Sequence, residues 1–333
     1  MTTGFDPHLF KLVTVFGYGP TGAASVRRLL DRGVRVRVAQ RSRPGDLPPG
    51  VEFRRCDVLD ARQVLEAMDG ASQAVVTLGF EYVGKAWRAK WPVAMANLLA
   101  AAETTGARIV QIDNLYMYGP QDAPLREDMP LTSRGLKPAA RAKISRMWLE
   151  ASESGRVKFA ALRAPDFYGP GVRRSHMGDT GLAAVAEGRT ATLLMKPDLP
   201  HAFAYVPDIA RAVETLLDAP DDAYGQAWHV PCAPAMSPRA MLEMGARTIG
   251  AKPRVVALPP SLLPVLGIVS GFVAELAEMR FQFDRAYDVD WSKWAGRFWS
   301  DPTSFDAGVA ATMRSYGQAV RLDTAHVGAR MAT

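Results

Sequence analysis

Near the start of the chain, Gly17-Tyr18-Gly19-Pro20-Thr21-Gly22 has the spacing G-x-G-x-x-G. It directly follows an apolar run, Leu12 to Phe16, and opens a stretch patterned as a helix. In that setting the glycines have separate tasks. Gly17 allows a tight turn, Gly19 lets backbone approach a pyrophosphate, and Gly22 lets the helix pack closely on the strand. Pro20 and Thr21 begin the helix, whose N-terminus faces the phosphates. The chemistry is dinucleotide binding. At the end of the next strand stands Ala39-Gln40-Arg41-Ser42-Arg43. A site for NAD places Asp or Glu there to hold the ribose 2′-hydroxyl. This chain has no acid at that point, and Arg41 and Arg43 suit a 2′-phosphate. The expected cofactor is NADP, with NAD less favoured.

Other chemistries find little support. Cys56 and Cys232 lie far apart and outside any CxxC, so neither a disulfide framework nor a zinc site is expected. His176 and His201 have no metal-ligand spacing and read as solvated loop histidines. No nucleophile elbow accompanies a Ser-His-Asp set. The net charge of +6 comes from scattered cations, mostly arginines, and no nucleic-acid-binding signature is present.

The elements that must position these residues alternate regularly. Strands are expected at Leu12 to Phe16, Val34 to Val38, Val51 to Arg55, Ala74 to Leu78, Arg108 to Ile112 and Val157 to Leu162. Helices fall between them, at Gly22 to Asp31, Asp60 to Met68, Trp91 to Thr105 and Ala139 to Ser154. Apolar strands separated by helices imply an α/β fold with a doubly wound parallel sheet, and ligands at the carboxyl ends of its strands. The expected division is a dinucleotide-binding domain over 1–170 and a smaller substrate-binding domain over 171–321. Some segments of the second return to the sheet, and 322–333 form a tail. Val255 to Val273 carries no charge and is long enough to span a bilayer, but Pro259, Pro260 and Pro264 interrupt it. It reads as a Pro-rich loop leading into a buried helix, not a membrane span. Leu262 to Val273 also suggests an apolar or aromatic substrate. The N-terminus shows no secretory signal, so the cytoplasm is expected.

Several motifs in order resemble one family, the extended or atypical short-chain dehydrogenase/reductases of the NAD-dependent epimerase/dehydratase group, with NmrA-like relatives. Val15 to Gly22 resembles the family's phosphate loop on its Rossmann fold. Cys56-Asp57-Val58 resembles the segment that meets the adenine, and Thr77-Leu78-Gly79 the fourth-strand end beside the cofactor. Tyr116-Met117-Tyr118-Gly119 resembles its "VYG", and Leu162 to Pro170 its "LRxxNVYGP", with Pro165 assigned to the cofactor. Ala204 to Ala210 and Val289 to Lys293 match later motifs. The resemblance runs from about residue 11 to 318. It implies cofactor contacts at Asp57, Val58, Leu78, Gly79 and Pro165.

The family's active site is Ser or Thr, then Tyr-x-x-x-Lys. Lys143 matches the Lys, Asn114 the Ser or Thr, and Ala139 stands where the Tyr belongs. Alanine moves no proton, so a substitute acid is required. Tyr116, Tyr118 and Tyr168 are candidates, with Tyr116 preferred because its loop follows the fifth strand close to Asn114 and Ala139. Tyr118 and Tyr168 read as aromatic packing. Asp166 replaces the family's Asn, either orienting substrate or pairing with Arg163. The resemblance implies an NADP-dependent oxidoreductase acting on a small organic substrate with catalytic Lys143, Tyr116 and Asn114. The alternatives are a nucleotide-sugar epimerase or dehydratase, and a non-catalytic NADP-binding regulator. A homodimer is compatible with these features, and no metal is implied.

Overall fold

A computed structural model describes residues 11–268 and 271–317. The tail expected over 322–333 lies outside them. Seven parallel strands form one sheet: β1 (Leu12–Phe16), β2 (Arg35–Gln40), β3 (Glu52–Arg55), β4 (Gln73–Val76), β5 (Arg108–Asp113), β6 (Phe159–Arg163) and β10 (Gln226–His229). Their order is β10-β6-β5-β4-β1-β2-β3, so the chain reverses direction of travel at β1 and β4. Val13 pairs with Val36 on one side and Gln73 on the other. This is a doubly wound sheet with its switch point beside the phosphate loop.

The apolar strands are fully covered. α2 (Ala61–Met68), α3 (Gly84–Thr105) and α4 (Lys137–Glu153) share a core with β-strand residues Phe16, Val76, Ile109 and Ala161. The opposite face carries α1 (Pro20–Asp31) and α6 (Val206–Asp218), bridged by Arg28 and Arg32 to Glu214 and Asp218.

Element positions differ from expectation where a local signal misleads. α3 begins at Gly84, seven residues before Trp91, and carries Pro92 inside it. An internal proline reads as a boundary, but buried Trp87 and Trp91 on one face hold the helix through it. β4 stops at Val76, because Thr77 turns its hydroxyl to the phosphate loop.

The chain divides into two compact units. The first comprises residues 11–119, 127–164 and 209–230, and holds the whole seven-stranded sheet. The second comprises 120–126, 165–208 and the described residues from 231 onward. It contains β7 (Asp166–Tyr168) paired with β9 (Phe203–Tyr205), and β8 (Ala191–Leu193) paired with β11 (Val255–Ala257). It also holds α5 (Ala183–Ala186), α7 (Pro238–Thr248), α8 (Leu263–Leu266), α9 (Gly271–Glu278) and a helix over 305–317.

The apolar stretch from Val255 corrects the expectation of a buried helix. It forms β11, a turn, and the short α8 and α9. Val256 is 50% exposed, Leu262 44%, Val265 63% and Ile268 83%. The prolines break it into pieces too short to bury a continuous face. Among the described residues no helix is long and apolar enough to cross a membrane.

Candidate dinucleotide-binding and active site

The phosphate loop is built as its glycines require. Gly17 has φ of 94°, and a side chain there would meet Leu78 backbone at 3.0 Å. A Cβ on Gly22 would collide with the Gly17 carbonyl oxygen. A Cβ on Gly19 would meet nothing within 4 Å, so the loop is open on that side. No side chain caps α1 at Gly19, and its first turn carries no acid. Backbone N–H groups and the positive end of the helix dipole are therefore presented to an anion. The residues present fit a dinucleotide's phosphates.

Thr77 completes the cradle. Its hydroxyl donates to the Gly17 carbonyl at 2.9 Å, tying the loop to the end of β4. Sequence reasoning grouped Thr77 with Leu78 and Gly79 but gave it no role. Leu78 is half-buried and Gly79 exposed.

At the end of β2 the Gln40 side chain is engaged. Its Oε1 accepts from the Tyr18 N–H at 2.9 Å, and its Nε2 donates to the Ser42 carbonyl at 2.8 Å. A neutral amide thus occupies the place of the acid. Arg41 and Arg43 are exposed, and the Arg43 guanidinium lies 5.7 Å from the Phe53 ring centroid. Asp57 accepts from the Leu59 N–H at 3.0 Å, and the Val58 carbonyl accepts from Asn97 at 3.0 Å. Both hold the turn after β3.

The end of β5 is more elaborate than its sequence suggests. Asn114 uses its side chain to accept from the Tyr116 N–H at 3.0 Å, fixing the turn that carries Tyr116. Tyr116 is half-buried and stacks on Trp87, with centroids 5.9 Å apart and planes 12° apart. Trp87 also meets Arg141, whose guanidinium carbon lies 4.9 Å from its ring centroid and 3.7 Å from that of Trp91. Arg141 Nη1 is 3.1 Å from Asp113 Oδ1, and both side chains are nearly fully buried. Burial pushes the Arg141 pKa down, against the attraction of Asp113 and of Tyr116.

Along α4 the two expected positions share a more exposed line: Ala139 is half-buried and Lys143 exposed. Lys143 makes no hydrogen bond or ion pair with a described residue. Lys137 and Arg141, one turn apart, are buried, with Lys137 4.8 Å from the Tyr82 ring centroid. Sequence reasoning missed Arg141 and Asp113. The available signal was a charged residue recurring with Lys137, Ser145 and Trp148 on the helix face that otherwise carries small and apolar residues.

Tyr118 is not available as an acid. It is 1% exposed, its hydroxyl lies 2.9 Å from His229 Nε2, and Arg163 donates to it at 2.6 Å. Burial pushes its phenol up to about 12. Tyr168 is likewise buried, against Tyr205 and Phe305.

The second unit corrects the reading of its histidines. His201 is 2% exposed, with Nε2 2.8 Å from Asp166 Oδ2 and its ring stacked on Tyr287. Asp166 thus pairs with His201, while Arg163 turns to Tyr118 and Ser145. Burial opposes the Asp166 charge, but His176 and His201 outweigh it and hold the carboxyl below its ordinary range. Burial pushes His176 down. Pro165 belongs to this unit. No group of three or more His, Cys, Asp or Glu among the described residues could hold a metal.

The model of the NAD dependent epimerase/dehydratase family matches residues 13–230. The chain belongs to that family. Its fold is that of solved relatives at low identity. One is UDP-glucose 4-epimerase of Thermus thermophilus in complex with NAD, 20% identical, TM-score 0.71, covering 92% of this chain and 98% of that one. Another is dTDP-glucose 4,6-dehydratase of Bacillus anthracis with NAD, 14% identical, TM-score 0.76, covering 92% and 97%. A third is UDP-glucuronic acid 4-epimerase of Bacillus cereus with NAD, 15% identical, TM-score 0.74, covering 92% and 99%. No curated protein matches the sequence significantly.

Proposed function

We propose that the chain is an NAD(P)-dependent enzyme that transfers hydride at a carbon bearing a hydroxyl or carbonyl group. The substrate class proposed is a hydroxylated one of the nucleotide-sugar kind named for the structural relatives. The observation that carries the reading is the phosphate loop, with its open Gly19, its uncapped α1 and its tie to β4 through Thr77. An apolar substrate loses its support, since the stretch that suggested it exposes Leu262, Val265 and Ile268.

When bound, the nicotinamide ring supplies the hydride acceptor and donor. The chain's own residues do the rest. Amides around Gly17, Gly19, Pro20, Thr21 and Gly22 hold phosphate. Asp57 and Val58 are assigned to the adenine end, and Leu78 and Gly79 to the nicotinamide end. Lys143, an unpaired exposed cation beside Ala139, is assigned to the ribose hydroxyls. Tyr116 is assigned the proton at the substrate oxygen, and Asn114 holds its turn in place.

NADP remains the preferred form on this chain's own residues. Gln40 brings no negative charge to repel a 2′-phosphate, and Arg41 and Arg43 are exposed and free to meet one. The relatives' complexes with NAD support the other choice. Calorimetry with both dinucleotides, followed by UDP-glucose and dTDP-glucose with absorbance read at the nicotinamide band, tests the reading. Dinucleotide binding and a substrate-dependent absorbance change are expected. No binding of either dinucleotide would overturn it. Binding without a reaction of either sugar nucleotide or of a carbonyl panel would favour the regulator, the reading that Ala139 supports.

A further inference from the structure

The Asp113–Arg141 pair is buried between α3 and the end of β5, and such a pair needs a reason. Removing two charges from water is costly unless their hydrogen bonds are satisfied. Here they are not. Arg141 Nη1 is 3.1 Å from Asp113 Oδ1 but is not aligned for a hydrogen bond, and Arg141 Nε and Asp113 Oδ2 are buried without a hydrogen-bond partner among the described residues. Asp113 Oδ1 also accepts from the Asn114 N–H at 2.8 Å. The carboxylate is therefore shared, and the guanidinium keeps an under-compensated positive charge. Arginine does not shed that charge by deprotonating. The same guanidinium lies on Trp87, and Trp87 is the ring on which Tyr116 stacks.

We infer that Arg141 is a positioning residue for Tyr116: it carries a positive charge that holds a phenolate there, at the residue proposed in place of the tyrosine missing at Ala139. The inference rests on the reading of Tyr116 as proton donor. In the step, the Tyr116 O–H bond breaks and its proton goes to the substrate oxygen, whose carbon would take its hydride from a reduced nicotinamide when one is bound. The electron pair stays on the phenol oxygen, and the Arg141 charge stabilises it. Arg141 reaches Tyr116 through a low-dielectric aromatic wall, where a fixed charge acts more strongly than in water. Trp87 and Trp91 are buried, and the guanidinium carbon lies over both rings. The surrounding elements carry other charged and titratable groups: Lys137, Lys143, Arg146, Glu150 and Glu153 on α4, Lys85, Arg88, Lys90 and Glu103 on α3, Arg108 and Asp113 on β5, Tyr118 in the turn of Tyr116, and Glu81 and Tyr82 ahead of α3.

The test separates this role from mere packing. Phenolate absorbance is titrated in the wild type and in Y116F, and the difference isolates Tyr116. It should ionise below the ordinary phenol value of about 10. R141M should weaken the ionisation constant by at least about threefold, and R141K should restore most of it. D113N should act in the opposite direction, strengthening ionisation, because it removes the neutralising carboxylate. A packing role moves both variants the same way or neither. An unchanged Tyr116 titration in R141M overturns the inference. Where R141M does not fold, an unchanged or weakened ionisation in D113N overturns it. If the titrations behave as expected but Y116F keeps full turnover, the proton-donor reading fails and the coupling stands.

Discussion

At the residue scale, charge placement decides what the chain can bind and how it responds to acid. Alanine at both Arg41 and Arg43 should weaken NADP binding by about 1.5 kcal/mol or more, on the scale of charged hydrogen bonds, and leave NAD affinity nearly unchanged. Tighter binding of NAD than NADP by the wild type would refute the NADP preference. In the second unit, half-buried His176 resists protonation, so the unfolded chain takes up that proton first. Its contribution is present above the ordinary histidine value of about 6.5 and falls away as pH drops below it. Asp166 acts lower: its stabilisation is present above the ordinary carboxylate value of about 3.9 and is lost as pH falls through its depressed value. Urea midpoints should therefore decline between pH 7 and pH 5.5, and H176Q should flatten that decline. An equal decline in H176Q would rule out His176 as its source. The glycine spacing was legible because a positive φ at Gly17 and the close approach at Gly22 leave room for little else. Asp113, Arg141 and the His201–Asp166 pair were not. Their partners lie about 30 residues away in sequence, and burial of a charge leaves no trace in a local pattern.

At the scale of elements, the phosphate loop is a joint among three pieces. β1 and the turn after it supply Phe16 and Gly17, α1 supplies Gly22, and the residue after β4 is Thr77. Two substitutions should part company. A Cβ at position 19 meets no protein atom within 4 Å, so Gly19→Val should leave folding intact by circular dichroism and abolish dinucleotide binding. Gly22→Ala sets a methyl group against the Gly17 carbonyl, so it should lower the melting temperature even without ligand. A normal melting temperature for Gly22→Ala would show that the joint yields. The strands and most helix ends were readable from apolar runs and glycine stops, as at Gly106, where φ of 72° ends α3. The start of α3 was not, because Pro92 carries the same local signal in a helix interior as at a boundary.

At the scale of the whole molecule, the first unit is not one stretch of chain. Its edge strand β10 comes from residues 226–229, after the chain has contributed residues 165–208 to the second unit. The α/β class was legible from alternation over the first 165 residues, whereas β10 has only four residues and no flanking periodicity. A protein made on the ribosome meets this arrangement in time. When residue 170 has emerged, β6 has its partner β5 but not β10, and its five buried residues lack their final cover. An unpaired apolar strand edge is a template for association with other chains. A fragment ending at residue 170 should therefore aggregate, while one extended to residue 230 should be markedly more soluble. Equal solubility of the two, by sedimentation after expression, would show that β6 does not need its neighbour. The nascent chain thus stays exposed for some 60 further residues of synthesis, an interval in which a holding chaperone would have its target.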